Sequence, residues 1–200
     1  MSVIAELCRD HSQTIDWLKL PGNVTSQLLE ELTSSLLVRP QDWEELSSAV
    51  RADLTALSEV ELLDELVQRK LLTKYQAGRI LAGTRFGLIL GNYRVLDRLG
   101  AGGMGVVLKA EHLRLPRLVA IKVIPIRTDE DSTTLQRFRA EMLSVAQMRH
   151  PNIVGAIDAG VEWNSNPSSP RLHYFVMDYV PGESLEQRVA TSGPLTPPVT

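Results

Sequence analysis

The chain has 200 residues and a formal net charge of -3, room for one domain or two small ones and the wrong sign for a nucleic-acid binder, which is usually basic. Its 44% hydrophobic and 22% charged residues are the proportions of an ordinary globular chain. The one cysteine, Cys8, excludes an internal disulfide, fits a reducing compartment and reads as a small apolar filler. The first ten residues carry Glu6 and Asp10 without a long apolar core, so they do not read as a signal peptide. No run approaches the ~18–20 apolar residues of a membrane span, and the expected location is cytoplasmic.

Residues 1–85 read as a helical extension. Leu28, Leu29, Leu32, Leu36 and Leu37 recur at helical spacing, in a segment opened by Gly22-Asn23 and closed before Pro40. Pro40 suits the first turn of the next helix, which sets Trp43, Leu46 and Val50 on one face. Ser58 with Glu61 forms a capping box ahead of Leu62, Leu63, Leu66 and Val67, and that helix ends in the favourable charge of Arg69-Lys70. Thr73 with Gln76 repeats the box for a short helix ending at Gly83. The acidic residues here read as solvated faces, with no paired carboxylates at a site.

Thr84 to Gly91 carries two glycines, and the linker is expected at 86–92. Tyr93-Arg94-Val95-Leu96 opens the first strand of the second region, 93–200. A glycine run, Gly100-Ala101-Gly102-Gly103-Met104-Gly105, turns it into Val106-Val107-Leu108-Lys109-Ala110, which is apolar and β-branched at its start and reads as a second strand. Pro116-Arg117 breaks this from a third strand, Val119-Ala120-Ile121-Lys122-Val123. Ser132, after Asp129-Glu130-Asp131, caps a helix with Leu135, Phe138, Met142 and Val145 on one stripe. Glu141 lies three after Phe138 and four before Val145 and shares their inward flank, although most helical glutamates are solvated. His150-Pro151-Asn152 ends the helix, with His150 fixing the loop. Ile153 to Val161 and Leu172 to Asp178 read as two more strands around a Ser/Asn/Pro-rich loop, 164–170. The fold class is α+β: five antiparallel strands and one helix, preceded by a small all-α region.

Glycines without Cβ atoms let backbone N–H groups approach a phosphate closely. Dinucleotide-binding folds use the same spacing but open a helix inside the glycines, whereas a strand follows here. The glycine run and Val119-Ala120-Ile121-Lys122 together resemble the amino-terminal lobe of a protein kinase, and the wording Gly-Ala-Gly-Gly-Met-Gly is similar to the eukaryotic-type Ser/Thr kinases of bacteria. The helical extension resembles, in pattern only, one that precedes the kinase domain in some bacterial kinases.

The resemblance implies a set of roles. Leu99, Gly100, Ala101, Gly102, Gly103, Met104 and Gly105 would cover the phosphates of ATP. Lys122 would neutralise the α- and β-phosphates, held by Glu141 in the motif Arg137-Phe138-Arg139-Ala140-Glu141. Val107 and Ala120 would roof the adenine. Tyr174-Phe175-Val176-Met177-Asp178-Tyr179-Val180-Pro181-Gly182 is similar to the strand and hinge between kinase lobes. Met177 would then be the gatekeeper, and the Asp178 carbonyl and Val180 N–H would bond the adenine edge. Asp158-Ala159-Gly160 precedes the hinge and is not the metal-binding D-F-G. His11, His112 and His173 lack metal-ligand spacing.

No H-R-D-x-x-x-x-N or later D-F-G precedes Thr200. The implied activity is ATP-dependent phosphorylation of Ser or Thr on a protein substrate. Mg2+ is expected on ligands outside these residues, and a kinase homodimer is among the implied partners. The chain is expected to be a catalytically incomplete part of such an enzyme. The alternative is a non-catalytic nucleotide-binding, dimerisation or decoy module.

Overall fold

A computed structural model describes residues 24–102, 105–126, 132–164, 166 and 169–194. Cys8, His11, Gly22-Asn23 and the acidic run 129–131 lie outside them. Among the described residues five helices come first: α1 (Val24–Ser34), α2 (Pro40–Glu44), α3 (Ser48–Ala56), α4 (Glu59–Gln68) and α5 (Lys74–Leu81). Strands β1 (Ile89–Leu90), β2 (Tyr93–Gly102), β3 (Gly105–His112) and β4 (Leu118–Ile126) follow. Helix α6 (Ser132–Gln147), strands β5 (Ala156–Glu162) and β6 (Arg171–Asp178) and helix α7 (Leu185–Ser192) complete the order.

The helices form because their apolar residues meet at one centre. Leu62, Leu63 and Leu66 of α4 are fully buried there beside Leu28, Leu32, Leu54 and Ile80. Each such side chain contributes roughly 1.5–3 kcal/mol by leaving water. Both capping boxes are formed: Ser58 with Glu61 opens α4, and Thr73 with Gln76 opens α5. Two expectations are corrected. The stretch after Pro40 is two helices, because Ser47 caps a new one by accepting a hydrogen bond from Val50 N at 3.3 Å. Trp43, Leu46 and Val50 still pack on the same core. Leu36 leaves the leucine stripe: α1 stops at Ser34, and Leu36 turns out to solvent with φ +63°.

The six strands form one antiparallel sheet in the order β1-β2-β3-β4-β6-β5. The sixth strand beyond the five expected is the short β1, within the stretch expected as linker. That connection carries its own packing. Leu88 and Leu90 are both fully buried, but Leu88 completes the helical core and Leu90 the sheet's own core. The sheet curls until its two ends approach. Gly91 N, just past β1, donates to Glu162 of β5 at 3.2 Å, and the Tyr93 hydroxyl donates to Asp158 of β5 at 3.2 Å.

Side chains alternate along β4 with the period of two expected of a strand. Val119, Ile121 and Val123 point into the curl with Val95, Leu108, Tyr174 and Val176. Ile124 and Ile126 face α6 and meet Phe138 and Phe175. Leu135, Met142 and Val145 of the α6 stripe pack there too. Ser132 lies inside this helix rather than before it, a one-residue difference at a frayed end. Helix α7 was not foreseen, although Ser184 and Gln187 make a third capping box at its start.

Candidate nucleotide site

The glycine run lies on a hairpin. Gly100 pairs with Val107, Ala101 with Val106 and Gly102 with Gly105 across β2 and β3. Gly103 and Met104 lie outside the described residues. Gly105 has φ +136°, and a Cβ there would run into the Val123 carbonyl and sit 2.8 Å from Ile124 Cγ2, so only glycine fits. At Gly100 and Gly102 the position of a Cβ is open space. The hairpin therefore presents bare, accessible backbone, as a cover for an anion requires. Leu99 at its root is exposed.

Below the hairpin, Val107 is registered against Lys122, and Ala120 against Met177. Ala120 and Lys122 are two apart on β4 and so share the face that α6 covers. The Lys122 ammonium donates to both carboxylate oxygens of Glu141, each at 2.6 Å. Lys122's side chain is only 16% exposed and Glu141's is 42%. A lysine placed this deep needs such a partner. Burial of Phe138 one turn earlier on α6 turns Glu141 toward β4. The pair bridges two elements whose positions are otherwise set by separate packing, so its main effect is to aim the ammonium.

At the far end of β4 and β6, Ala120 is buried and Met177 packs against the α6 core. Asp178 closes β6. Its side chain accepts from Arg117 Nη2 at 2.6 Å and from Gly155 N at 3.1 Å, and its own N–H donates to Gly155 O at 3.1 Å. Sequence reasoning missed Arg117, whose partner is 61 residues away with no local spacing to betray it. Lys109 lies 4.9 Å from the centre of the Tyr179 ring, within cation–π range. Val180 is exposed. His150 Nδ1 accepts from Asn152 N at 3.1 Å and shapes the turn after α6. His112 Nδ1 accepts from Arg114 N and Leu115 N. Among the described residues no group of three or more His, Cys, Asp or Glu is placed to hold a metal ion. No described helix is long and apolar enough to cross a membrane.

The protein kinase domain family matches residues 93–199. This chain belongs to that family. Over 109 residues the kinase region is 38% identical to the serine/threonine-protein kinase PrkC of Bacillus subtilis, covering 54% of this chain and 16% of the relative. It is 42% identical over 105 residues to the serine/threonine-protein kinase PknB of Mycobacterium tuberculosis, covering 52% of this chain and 16% of the relative. The chain thus spans about a sixth of the length of the curated relatives it matches. Among solved structures, the kinase domain of PknI from M. tuberculosis is similar at 30% identity and a TM-score of 0.43, over 56% of this chain and 42% of that one.

Proposed function

We propose that residues 93–200 are the ATP-binding part of a serine/threonine protein kinase that transfers the γ-phosphate of ATP to a Ser or Thr hydroxyl on a protein substrate. The helical extension over 1–85 and the connection at 86–92 precede it. The observation that carries this reading is the Lys122–Glu141 pair beneath an uncovered glycine hairpin. Family membership and the two kinase relatives support it.

The chemistry asked of these residues is positioning and charge neutralisation. The N–H groups of Leu99 to Gly105 would cover the phosphates, and Lys122, aimed by Glu141, would offset the charge on the α- and β-phosphates. Val107 and Ala120 would form the apolar roof over adenine, with Met177 at its back. The Asp178 carbonyl and the Val180 N–H would bond its edge. Mg2+ neutralises phosphate charge in this reaction class. Among the described residues no group of three or more His, Cys, Asp or Glu is placed to hold it.

The test is radiolabelled phosphotransfer by the full-length gene product. Lys122→Met is expected to abolish transfer while circular dichroism stays unchanged. Near-normal transfer by a folded Lys122→Met protein would remove Lys122 from this role.

A further inference from the structure

Three successive residues of β2 are held by the helical region. Arg94 Nη1 donates to the Leu37 carbonyl at 2.7 Å, beyond the end of α1. The Val95 carbonyl accepts from Gln76 Nε2 at 2.7 Å, and the Leu96 carbonyl accepts from the Thr73 hydroxyl at 2.6 Å. Gln76 is fully buried and Arg94 nearly so. Arg94 also pairs with Glu111 of β3 at 2.7 Å.

The grip falls where β2 is irregular. Val95 is registered against Ala110 and Asp97 against Lys109, so Leu96 is an extra residue in the ladder. Such a bulge bends its strand and increases the local twist. This one lies three residues before a second, at Leu99, where the glycine hairpin is rooted. Strand β1 pairs only with Tyr93 and Arg94, so on the side away from β3 no strand pairs with β2 at Val95 and Leu96. Helix α5 takes that place. A buried carbonyl there without a partner would cost its desolvation.

Thr73 and Gln76 are built for this double task. Within α5, Thr73 N donates to Gln76 Oε1 at 2.7 Å, and Gln76 N donates to Thr73 Oγ1 at 3.1 Å. The reciprocal cap consumes the acceptor of each side chain. It leaves the Thr73 hydroxyl proton and the Gln76 amide N–H groups, and each side chain donates one hydrogen bond to β2. The cap therefore fixes the two side chains as a fork.

We propose that the helical region acts on the nucleotide site: the Thr73–Gln76 fork is a positioning device that holds the bulge at Leu96 and so sets the pitch of the glycine hairpin. This rests on the kinase reading only in taking that hairpin as the cover of the nucleotide.

The test is amide hydrogen exchange on this chain without nucleotide, comparing residues 97–102 and 105–108 with residues 171–178 of β6. Gln76→Met and Thr73→Val are each expected to speed exchange in the hairpin about tenfold, the effect of losing one buried hydrogen bond. The β6 segment keeps its rate, and Thr73→Ser, which retains the hydroxyl, matches the parent. An unchanged hairpin, equal acceleration of hairpin and β6, or a Thr73→Ser protein that behaves like Thr73→Val would each overturn the proposal. Should Gln76→Met fail to fold, the half-buried Thr73 carries the comparison alone. The readout involves no nucleotide, so its failure removes the clamp and leaves the Lys122→Met assay to judge the kinase reading.

Discussion

Lys122 and Glu141 are 19 residues apart, on a strand and on a helix, and the ammonium sits 2.6 Å from both carboxylate oxygens. An ion pair this open to solvent on its acidic side contributes only about 0–1 kcal/mol to folding. Its value under the kinase reading is orientation. Glu141→Gln keeps a hydrogen-bond acceptor and removes the charge. In the full-length gene product we expect phosphotransfer to fall on the order of 10²-fold, in the range of losing one preorganised electrostatic contact. The melting temperature is expected to move little. A protein that melts early yet phosphorylates normally would make the pair a strut rather than an aiming device.

Tyr93 gives a pH dependence. Burial pushes its hydroxyl up from 10.0 to about 12, helped by the charge of Asp158, to which it donates a hydrogen bond. The folded pKa is thus above the unfolded one. The native state keeps a proton that the unfolded chain releases, so stability is intact below pH 10 and declines as pH rises from 10 toward 12. Burial and the charges of Asp158 and Glu162 also push the Tyr174 hydroxyl up. Urea titrations across that window should show the decline, and Tyr93→Phe should reduce it to the part that Tyr174 contributes. Tyrosinate absorbance should show two late-ionising tyrosines, of which Tyr93→Phe removes one.

Lys70 sits at φ +62° just past α4. Its N–H donates to Val67 O at 3.0 Å, and Leu71 N donates to Leu66 O at 2.9 Å. This paired closure is one that glycine makes without steric cost. Lys70→Gly is expected to stabilise the fold by about 0.5–1 kcal/mol, the left-handed penalty less the extra freedom glycine gains when unfolded. Thermal denaturation should show a rise of a few degrees. A fall would mean that the lysine side chain contributes more than its backbone costs.

The sheet was readable because Val106-Val107-Leu108 and Val119-Ala120-Ile121 are β-branched runs flanked by Gly and Pro, and because the capping boxes at Ser58 and Thr73 are local signals. The motif wording set Lys122 and Glu141 in one expectation, and folding brings their side chains into contact. What stayed hidden is non-local. Arg94 and Gln76 look like surface residues in the sequence, and only the docking of α5 on β2 makes them interior. Strand β1 was hidden because two residues carry no period. The break after Glu44 was hidden because Trp43, Leu46 and Val50 keep helical spacing across it, and all three reach the core regardless.

Leu88 and Leu90, two residues apart, seal separate interiors. A boundary drawn by family likeness at Tyr93 would remove the first interior whole, take Leu90 from the second, and uncouple the Val95 and Leu96 carbonyls from their donors. The contacts that hold β2 therefore reach beyond the matched family region. A recombinant protein begun at Tyr93 would keep the sheet but leave those two carbonyls to water.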